Sequence, residues 1–519
     1  MRNKTVSRIT MASFLGIGVV ALAFACDDTT PTPTPVDMAT IPDMTLPPDL
    51  MPATPTVTAI TPAMGPAAGG TSITITGTNF KTSAVVTIGG VSATQVAVVD
   101  STKITAMTGA STNFGQVDVT VDNKDGSSAA ILTKGFRYVI GTPAFTAGNA
   151  NIATMATSGP RSLSLVDIIG QGFPSIVTAM NTANSASTPT ALPGVNVIPN
   201  TTASPTAAAP TFIATQGIPT SGTNVFQTAV GDMDGNGQMD VVASNFAPNT
   251  LAVIHRMAAG NPTITPITMA TGGFSGPSFV VVGDFDKDGK VNDIAVTNQT
   301  SGTVSVLKNN GNMTYTQVAG SPFNLTTGAT GYVPYGLDVG DFDGDGRPDL
   351  VVGNNGANTF IRVILNKAAG AAVQTPIANS TANNQNIVKA GDFDGDGKLD
   401  FISVARLSPG IVTFYKGDGA GGFTKGATTA TVGNMPEAAA VGDLNQDGIL
   451  DVVVPSLGST NMHWMTGKGD GTFNAPVMIN TAVQSNDVAI ADFNKDGRPD
   501  IAITGFNTGN VVIYRGSGN

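Results

Sequence analysis

Between residues 57 and 139 apolar and polar positions alternate with a period of two, as in Ser72-Ile73-Thr74-Ile75-Thr76 and Val117-Asp118-Val119-Thr120-Val121. That alternation, bounded by Gly, Pro and Asn, predicts half-buried strands. From about Gly141 the pattern changes to short apolar runs such as Asp349-Leu350-Val351-Val352 and Thr303-Val304-Ser305-Val306-Leu307. Between them recurs an aspartate ladder, D-x-[DN]-x-[DN]-G closed by one further Asp, with copies beginning at Asp232, Asp284, Asp341, Asp392, Asp443 and Asp492. The copies are 52, 57, 51, 51 and 49 residues apart. A period of roughly 50 residues predicts a propeller or array, whose units bury their apolar faces only by stacking on one another.

Composition agrees with an all-β chain. Among 519 residues there are 62 Gly, 32 Pro and one Glu, Glu437. Turn formers therefore outweigh helix formers. The formal net charge is −11, and 21 of the 36 acidic residues lie in the six ladders, so the acidity is local and directed at metal. No basic stripe is present to meet phosphates, which argues against nucleic acid as a partner.

Arg2, Lys4 and Arg8 precede an apolar run from Met11 to Ala25 that ends at Cys26, the only cysteine. This is the layout of an export signal, residues 1–25. The run is shorter than the ~20 residues a membrane-spanning helix needs. Leu22-Ala23-Phe24-Ala25-Cys26 resembles a bacterial lipoprotein signal, which implies a lipid on Cys26 and anchoring at the cell envelope, the outer membrane or cell surface rather than the inner membrane. Leu stands four residues before the Cys where that family has it three before. The alternative is ordinary cleavage after Ala23-Phe24-Ala25, which leaves Cys26 a plain thiol. A single cysteine excludes an internal disulfide, so packing and metal must hold the fold. Residues 26–55, rich in Thr, Pro, Asp and Met, read as a semi-rigid linker.

Residues 56–139 carry Ile60-Thr61-Pro62, Gly65-Pro66, Gly69-Gly70-Thr71, Gly77-Thr78-Asn79-Phe80 and Val85-Val86-Thr87-Ile88-Gly89-Gly90. These motifs resemble an IPT/TIG immunoglobulin-like domain. The resemblance implies a β-sandwich that serves as a spacer or interaction module.

Residues 140–519 hold the ladders, each set in a unit of four strands that ends in a Gly-rich turn. The unit resembles the FG-GAP/VCBS repeat of integrin-type propellers. A degenerate copy at Ser164-Leu165-Val166-Asp167-Ile168-Ile169-Gly170-Gln171-Gly172-Phe173-Pro174 keeps only the first Asp and the Gly, and no metal is expected there. With it the count is seven blades. The last repeat stops after its third strand, and Thr142-Pro143-Ala144-Phe145-Thr146 matches the missing piece. Phe145 precedes Asp167 by 22 residues and Phe473 precedes Asp492 by 19, so the N-terminal segment is expected to supply the outer strand of the last blade and close the ring. The expected fold is a seven-bladed β-propeller preceded by an Ig-like β-sandwich.

Calcium takes six to eight oxygens, and alternating Asp or Asn on a tight loop aims positions 1, 3 and 5 at one centre, with Gly at position 6 for the sharp bend. A carbonyl from position 7 and a carboxylate from position 9 complete the shell. The ligand sets are Asp232, Asp234, Asn236 and Asp240; Asp341, Asp343, Asp345 and Asp349; Asp392, Asp394, Asp396 and Asp400; Asp443, Asn445, Asp447 and Asp451; and Asp492, Asn494, Asp496 and Asp500. In the third blade Asp284, Asp286 and Asp288 are followed by Asn292 at position 9, so Asp293 closes that site after a one-residue bulge. Five or six structural Ca²⁺ ions follow. Loss of the leader would take the net charge from −11 to −14, and six dications would return it nearly to neutrality.

Catalytic machinery is not evident. His255 and His463 are the only histidines, they lie in different blades, and no zinc motif surrounds them. His463 beside Trp464 reads as a packed strand position. The expected function is adhesion or binding of an extracellular protein or glycan by a monomer, on the analogy of integrin heads. A carbohydrate-active propeller, lectin or polysaccharide lyase, is the alternative.

Overall fold

The structure is a computed structural model and describes residues 52–517 except 141–143, 154–158, 168–171, 182–193, 203–211, 213–215, 221–223, 256–262, 268–272, 312–313, 329–330, 357–359, 375 and 379–386. The export signal, Cys26 and most of the linker lie outside the described residues, and every described element is a strand.

Two sheets form the first unit. One orders Thr56–Thr61, Ser72–Thr78, Lys103–Met107 and Thr94–Asp100, and the other Met64–Pro66, Ala130–Val139, Gly115–Asp122, Val85–Ile88 and Val91–Ser92. Alternation does what the period-two pattern requires: Ile73 and Ile75 point inward and Thr76 outward. The inward residues meet Ile88, Ile104, Val119, Val121 and Phe136 in one core.

Seven further antiparallel sheets of four or five strands follow among the described residues. The fifth is representative: Ile387–Gly391, Asp400–Ala405, Gly410–Gly417 and Phe423–Val432 pair in sequence order. Its second strand is buried at every position, because sheets pack on both of its faces. The corresponding strands Asp240–Asn245, Asp293–Asn298, Asp349–Asn354 and Asp500–Gly505 are likewise buried throughout.

Neighbouring sheets are tied by one repeated contact. In the third to sixth sheets the end of the third strand, or the turn after it, reaches back to the second ladder residue of the sheet before: Asn309 Nδ2 donates to the Met233 carbonyl (2.8 Å), Asn366 Nδ2 to Phe285 (2.7 Å), Gly421 N to Phe342 (3.1 Å) and Gly471 N to Phe393 (3.2 Å). The aromatic residue of that turn then packs on the same neighbour, as in Phe423 on Phe342 and Phe473 on Phe393. Each buried ring contributes on the order of 2 kcal/mol.

The same contact joins the first sheet to the last. Asn200 Nδ2 donates to the Phe493 carbonyl (2.8 Å), Phe212 packs on Phe493, and Ile176 and Ile198 share a core with Ile513. The sheets therefore form a closed ring. Its last sheet takes its outer strand from Ala144–Ala153, and Phe145 pairs with Gly516 as Phe423 does with Gly417. Phe145 also packs against Trp464.

Candidate metal centres and a central cleft

Every ladder is a tight loop between the first two strands of its sheet. Its first Asp accepts the backbone N–H of the sixth-position Gly, at 2.8 Å for Asp232–Gly237, 2.9 Å for Asp284–Gly289 and 2.7 Å for Asp492–Gly497. Those glycines bend the chain through positive φ, from 75° at Gly346 to 88° at Gly289, a region that costs an L residue about 1–2 kcal/mol.

The closing Asp is the anchor of each loop. Asp349 is fully buried, and accepts the N–H of Phe342 on one oxygen (2.9 Å) and that of Asn366 on the other (2.7 Å). Asp400, Asp451 and Asp500 repeat the pattern with Phe393 and Gly417, Leu444 and Gly467, Phe493 and Gly516. In the third sheet Asp293 holds this place: it pairs with Gly283 as Asp349 pairs with Gly340, while Asn292 lies outside the strand. Burial pushes the carboxyls of Asp349, Asp451 and Asp500 up to about 7 and that of Asp293 to about 6, with backbone N–H groups opposing the shift. Burial likewise raises Asp400, Asp443 and Asp492.

In three loops the first, third and closing carboxylates converge. Asp284, Asp286 and Asp293, then Asp341, Asp343 and Asp349, then Asp392, Asp394 and Asp400 each place one oxygen within 4.8 Å of the others. Crowded carboxylates, the closing one of each group buried and raised in its protonation range, with only oxygen donors, are what a hard dication relieves, so these residues fit calcium. The fifth-position residues stand outside the groups. Asp288, Asp345 and Asp396 each accept an N–H two residues on, from Lys290, Arg347 and Lys398, at 2.9, 3.0 and 3.0 Å. In the sixth and seventh sheets the third position is an amide that donates to the fifth carboxylate, Asn445 to Asp447 (2.9 Å) and Asn494 to Asp496 (3.0 Å). In the second sheet Asp234 and Asp240 gather with His255, while Asp232 turns both oxygens to the N–H groups of Asn236 and Gly237.

Lysines fence three loops. Lys308 Nζ lies 2.5 Å from Asp286, Lys367 pairs with Asp343, and Lys416 pairs with Asp394 and, at 2.8 Å, with Asp396. The ammonium groups are half exposed, so they can swing into water when a metal arrives.

A different kind of site lies at the centre of the ring. Segments from all seven sheets line one cleft, with roughly 50 Å³ open to water-sized spheres. The Arg161 guanidinium stacks 3.6 Å from the centre of the Phe226 ring, which packs against Phe279 and Tyr335. Tyr335 donates to Glu437 (2.9 Å), whose other oxygen pairs with Arg406. Burial pushes Asp487 up to about 6, although Leu163 N–H donates to it at 2.7 Å and Lys389 also favours its charge.

Comparison with known families assigns the two parts. Residues 55–135 match the IPT/TIG domain, and residues 290–352, 341–403, 392–454 and 455–503 match the FG-GAP-like repeat. The chain carries an IPT/TIG domain and FG-GAP-like repeats. No curated protein matches it. Among solved structures, an auxiliary nutrient binding protein from Bacteroides thetaiotaomicron is similar at 11% identity and TM-score 0.40, over 89% of this chain and 98% of that one. A counterpart from Bacteroides ovatus is similar at 13% identity and TM-score 0.37, over 90% and 98%. A streptogramin B lyase is similar at 12% identity and TM-score 0.46, over 72% and 98%.

The FG-GAP-like repeats hold their ladders in one register, and that register exposes what reading each ladder alone misses. The residue facing the closing Asp is Lys308, Lys416 or Arg515 in the third, fifth and seventh sheets, following Leu307, Tyr415 and Tyr514, which pair with Ile294, Phe401 and Ile501. In the second sheet the same place, after Ile254, is His255. Aligning the repeats by their third strands would have flagged it.

Proposed function

We propose that this chain is an exported, lipid-anchored protein of the cell envelope whose seven-bladed propeller is stiffened by calcium in its ladders and binds an extracellular ligand at the central cleft. The cleft carries this reading. It joins a stacked guanidinium, an aromatic floor and a paired carboxylate from different blades, so no single repeat could have made it. Its free space suits a few waters or one functional group. The ligand accordingly inserts a side chain or sugar substituent while its body rests on the ring face. Calcium is structural in this scheme: it binds the folded loops and not the unfolded chain, and stabilises by mass action.

The test is binding of the calcium-loaded full chain to a glycan array and to immobilised extracellular proteins, repeated with Arg161→Ala and Glu437→Gln. Loss of a specific signal in both variants, with melting unchanged, supports the cleft. Equal binding by the variants would move the binding surface elsewhere, and unsaturated sugar products would turn the reading to a polysaccharide lyase.

A further inference from the structure

Two side chains set the surroundings of the second sheet's ladder apart, one on that sheet's third strand and one on the next sheet. The first is His255. Its ring is buried, with 4% of the side chain exposed, against 46% for Lys308 and 47% for Lys416 in the equivalent place. A lysine there can carry its charge into water; the imidazole cannot. Neither ring nitrogen meets a hydrogen-bond partner among the described residues, and a buried polar atom left so is costly unless something else binds it. Nδ1 points at the ladder, 3.4 Å from Asp240 Oδ2 and 3.9 Å from Asp234 Oδ2. Asp240 Oδ2 also accepts the Met233 N–H (2.9 Å), and Asp234 Oδ2 accepts Asn236 Nδ2 (3.0 Å).

The second is Tyr315. Phe423 pairs with Gly417 and Phe473 with Gly467, each packing on the preceding ladder, and Tyr315 takes that place opposite Asn309. It packs beside Met233 of the second ladder. Its hydroxyl is buried without a hydrogen-bond partner among the described residues. Burial first, then the charges of Asp240, Asp293 and Asp234, hold its phenol well above the ordinary range.

We propose that the ladder beginning at Asp232 binds a transition-metal dication of the zinc class, through His255 Nδ1 and the carboxylates of Asp234 and Asp240, in place of calcium. Imidazole nitrogen is a good ligand for zinc and its neighbours and a poor one for calcium, which takes oxygen. Two ligands about 2.1 Å from a tetrahedral ion stand roughly 3.4 Å apart, the separation found between His255 and Asp240. The wider 3.9 Å gap falls on Asp234, whose side chain is 26% exposed and has room to close. Three protein ligands leave a fourth position for water, with Tyr315 nearby. The site does not depend on calcium in the other loops. In the competing account His255 pairs directly with the two carboxylates, as Lys308 and Lys416 do in the third and fifth sheets, and binds no metal.

Cobalt(II) separates the two, because nitrogen ligation at low coordination number gives visible d–d bands. The full chain is stripped with chelator, saturated with calcium to fill the oxygen-only loops, and titrated with Co²⁺. One equivalent should bind with visible bands, be displaced by Zn²⁺ and resist excess Ca²⁺. His255→Gln should weaken Co²⁺ at least tenfold, and His255→Lys, which installs the residue of the third and fifth sheets, should abolish it; both variants should keep the calcium-dependent melting of the parent. Absence of a stoichiometric cobalt site in calcium, or cobalt binding unchanged in the two variants, overturns the proposal. Because calcium-dependent melting is read in the same samples, failure of the calcium reading would show separately.

Discussion

Asp167 accepts the backbone N–H of Gly172 at 2.5 Å, the same bond that Asp443 makes with Gly448 at 2.7 Å. The first belongs to a ladder that has lost its other carboxylates; the second belongs to an intact one. The turn and the metal donors are thus separable parts of the motif. Asp167→Ala should destabilise the protein by about 1.5–3 kcal/mol, the range for a hydrogen bond to a charged acceptor, while leaving bound calcium unchanged. Melting with and without calcium, beside elemental analysis, checks it. A lost calcium ion in this variant would mean that the degenerate loop binds metal after all.

Acid should act in opposite directions on the metal-free and calcium-loaded protein. In the metal-free form the closing carboxyls of Asp349, Asp451 and Asp500 sit at about 7, far above the ordinary 3.8. Between those limits the folded chain holds protons that the unfolded chain has released, so stability rises as pH falls from about 7 toward 4. Calcium requires the ionised form, and protons then compete with it. In excess EDTA the melting temperature should be higher at about pH 5.5 than at about pH 7.5, and in excess calcium lower. The same slope in both solutions would show that calcium does not bind the closing carboxylates.

Much of this was legible in the sequence because it repeats. The ladder period gave the sheets, and the one-residue bulge marked Asp293, not Asn292, as the start of its strand. Phe145 could be recognised as the missing partner of Gly516 because Phe423 and Phe473 occupy the same place. What could not be read has no period. Arg161, Glu437 and Asp487 meet only because the ring brings unrelated segments to its centre. His255 lies 15 residues beyond Asp240, and only the pairing of the second and third strands brings them together. At the fifth ladder position one oxygen of Asp288, Asp345 and Asp396 accepts the N–H two residues on, a bond that the residue pattern alone does not announce.

Lys416 competes for the site that calcium would fill, since its ammonium is held by Asp394 and Asp396, which in turn push it well above the ordinary lysine range. Lys416→Met should therefore tighten calcium binding at one site several-fold, and should lower the metal-free melting temperature, because the two carboxylates then face each other without a cation. Calorimetric titration of the variant against the parent reads the first effect. Unchanged affinity would mean that the lysine swings clear at no cost.

The fourth ladder position, variable in the motif, is left-handed in every loop: φ is 74° at Gly235, 72° at Gly344 and 75° at Gly395, but also 62° at Lys287, 60° at Gln446 and 55° at Lys495. The three non-glycine residues each reach the next loop around the ring. Lys287 Nζ donates to the Asp345 carbonyl (3.1 Å), Gln446 to the Gly497 carbonyl, and Lys495 lies 4.8 Å over Phe173 of the first sheet. Backbone strain of about 1–2 kcal/mol is set there against one latch between neighbours. Lys287→Ala keeps the strain and loses the latch, so it should destabilise by about 1 kcal/mol. Lys287→Gly loses both and should melt within a degree or two of the parent, a difference that thermal unfolding in calcium resolves. If the alanine variant were as stable as the glycine variant, the left-handed turn would carry no strain, and the lysine's reach to Asp345 would not explain its presence.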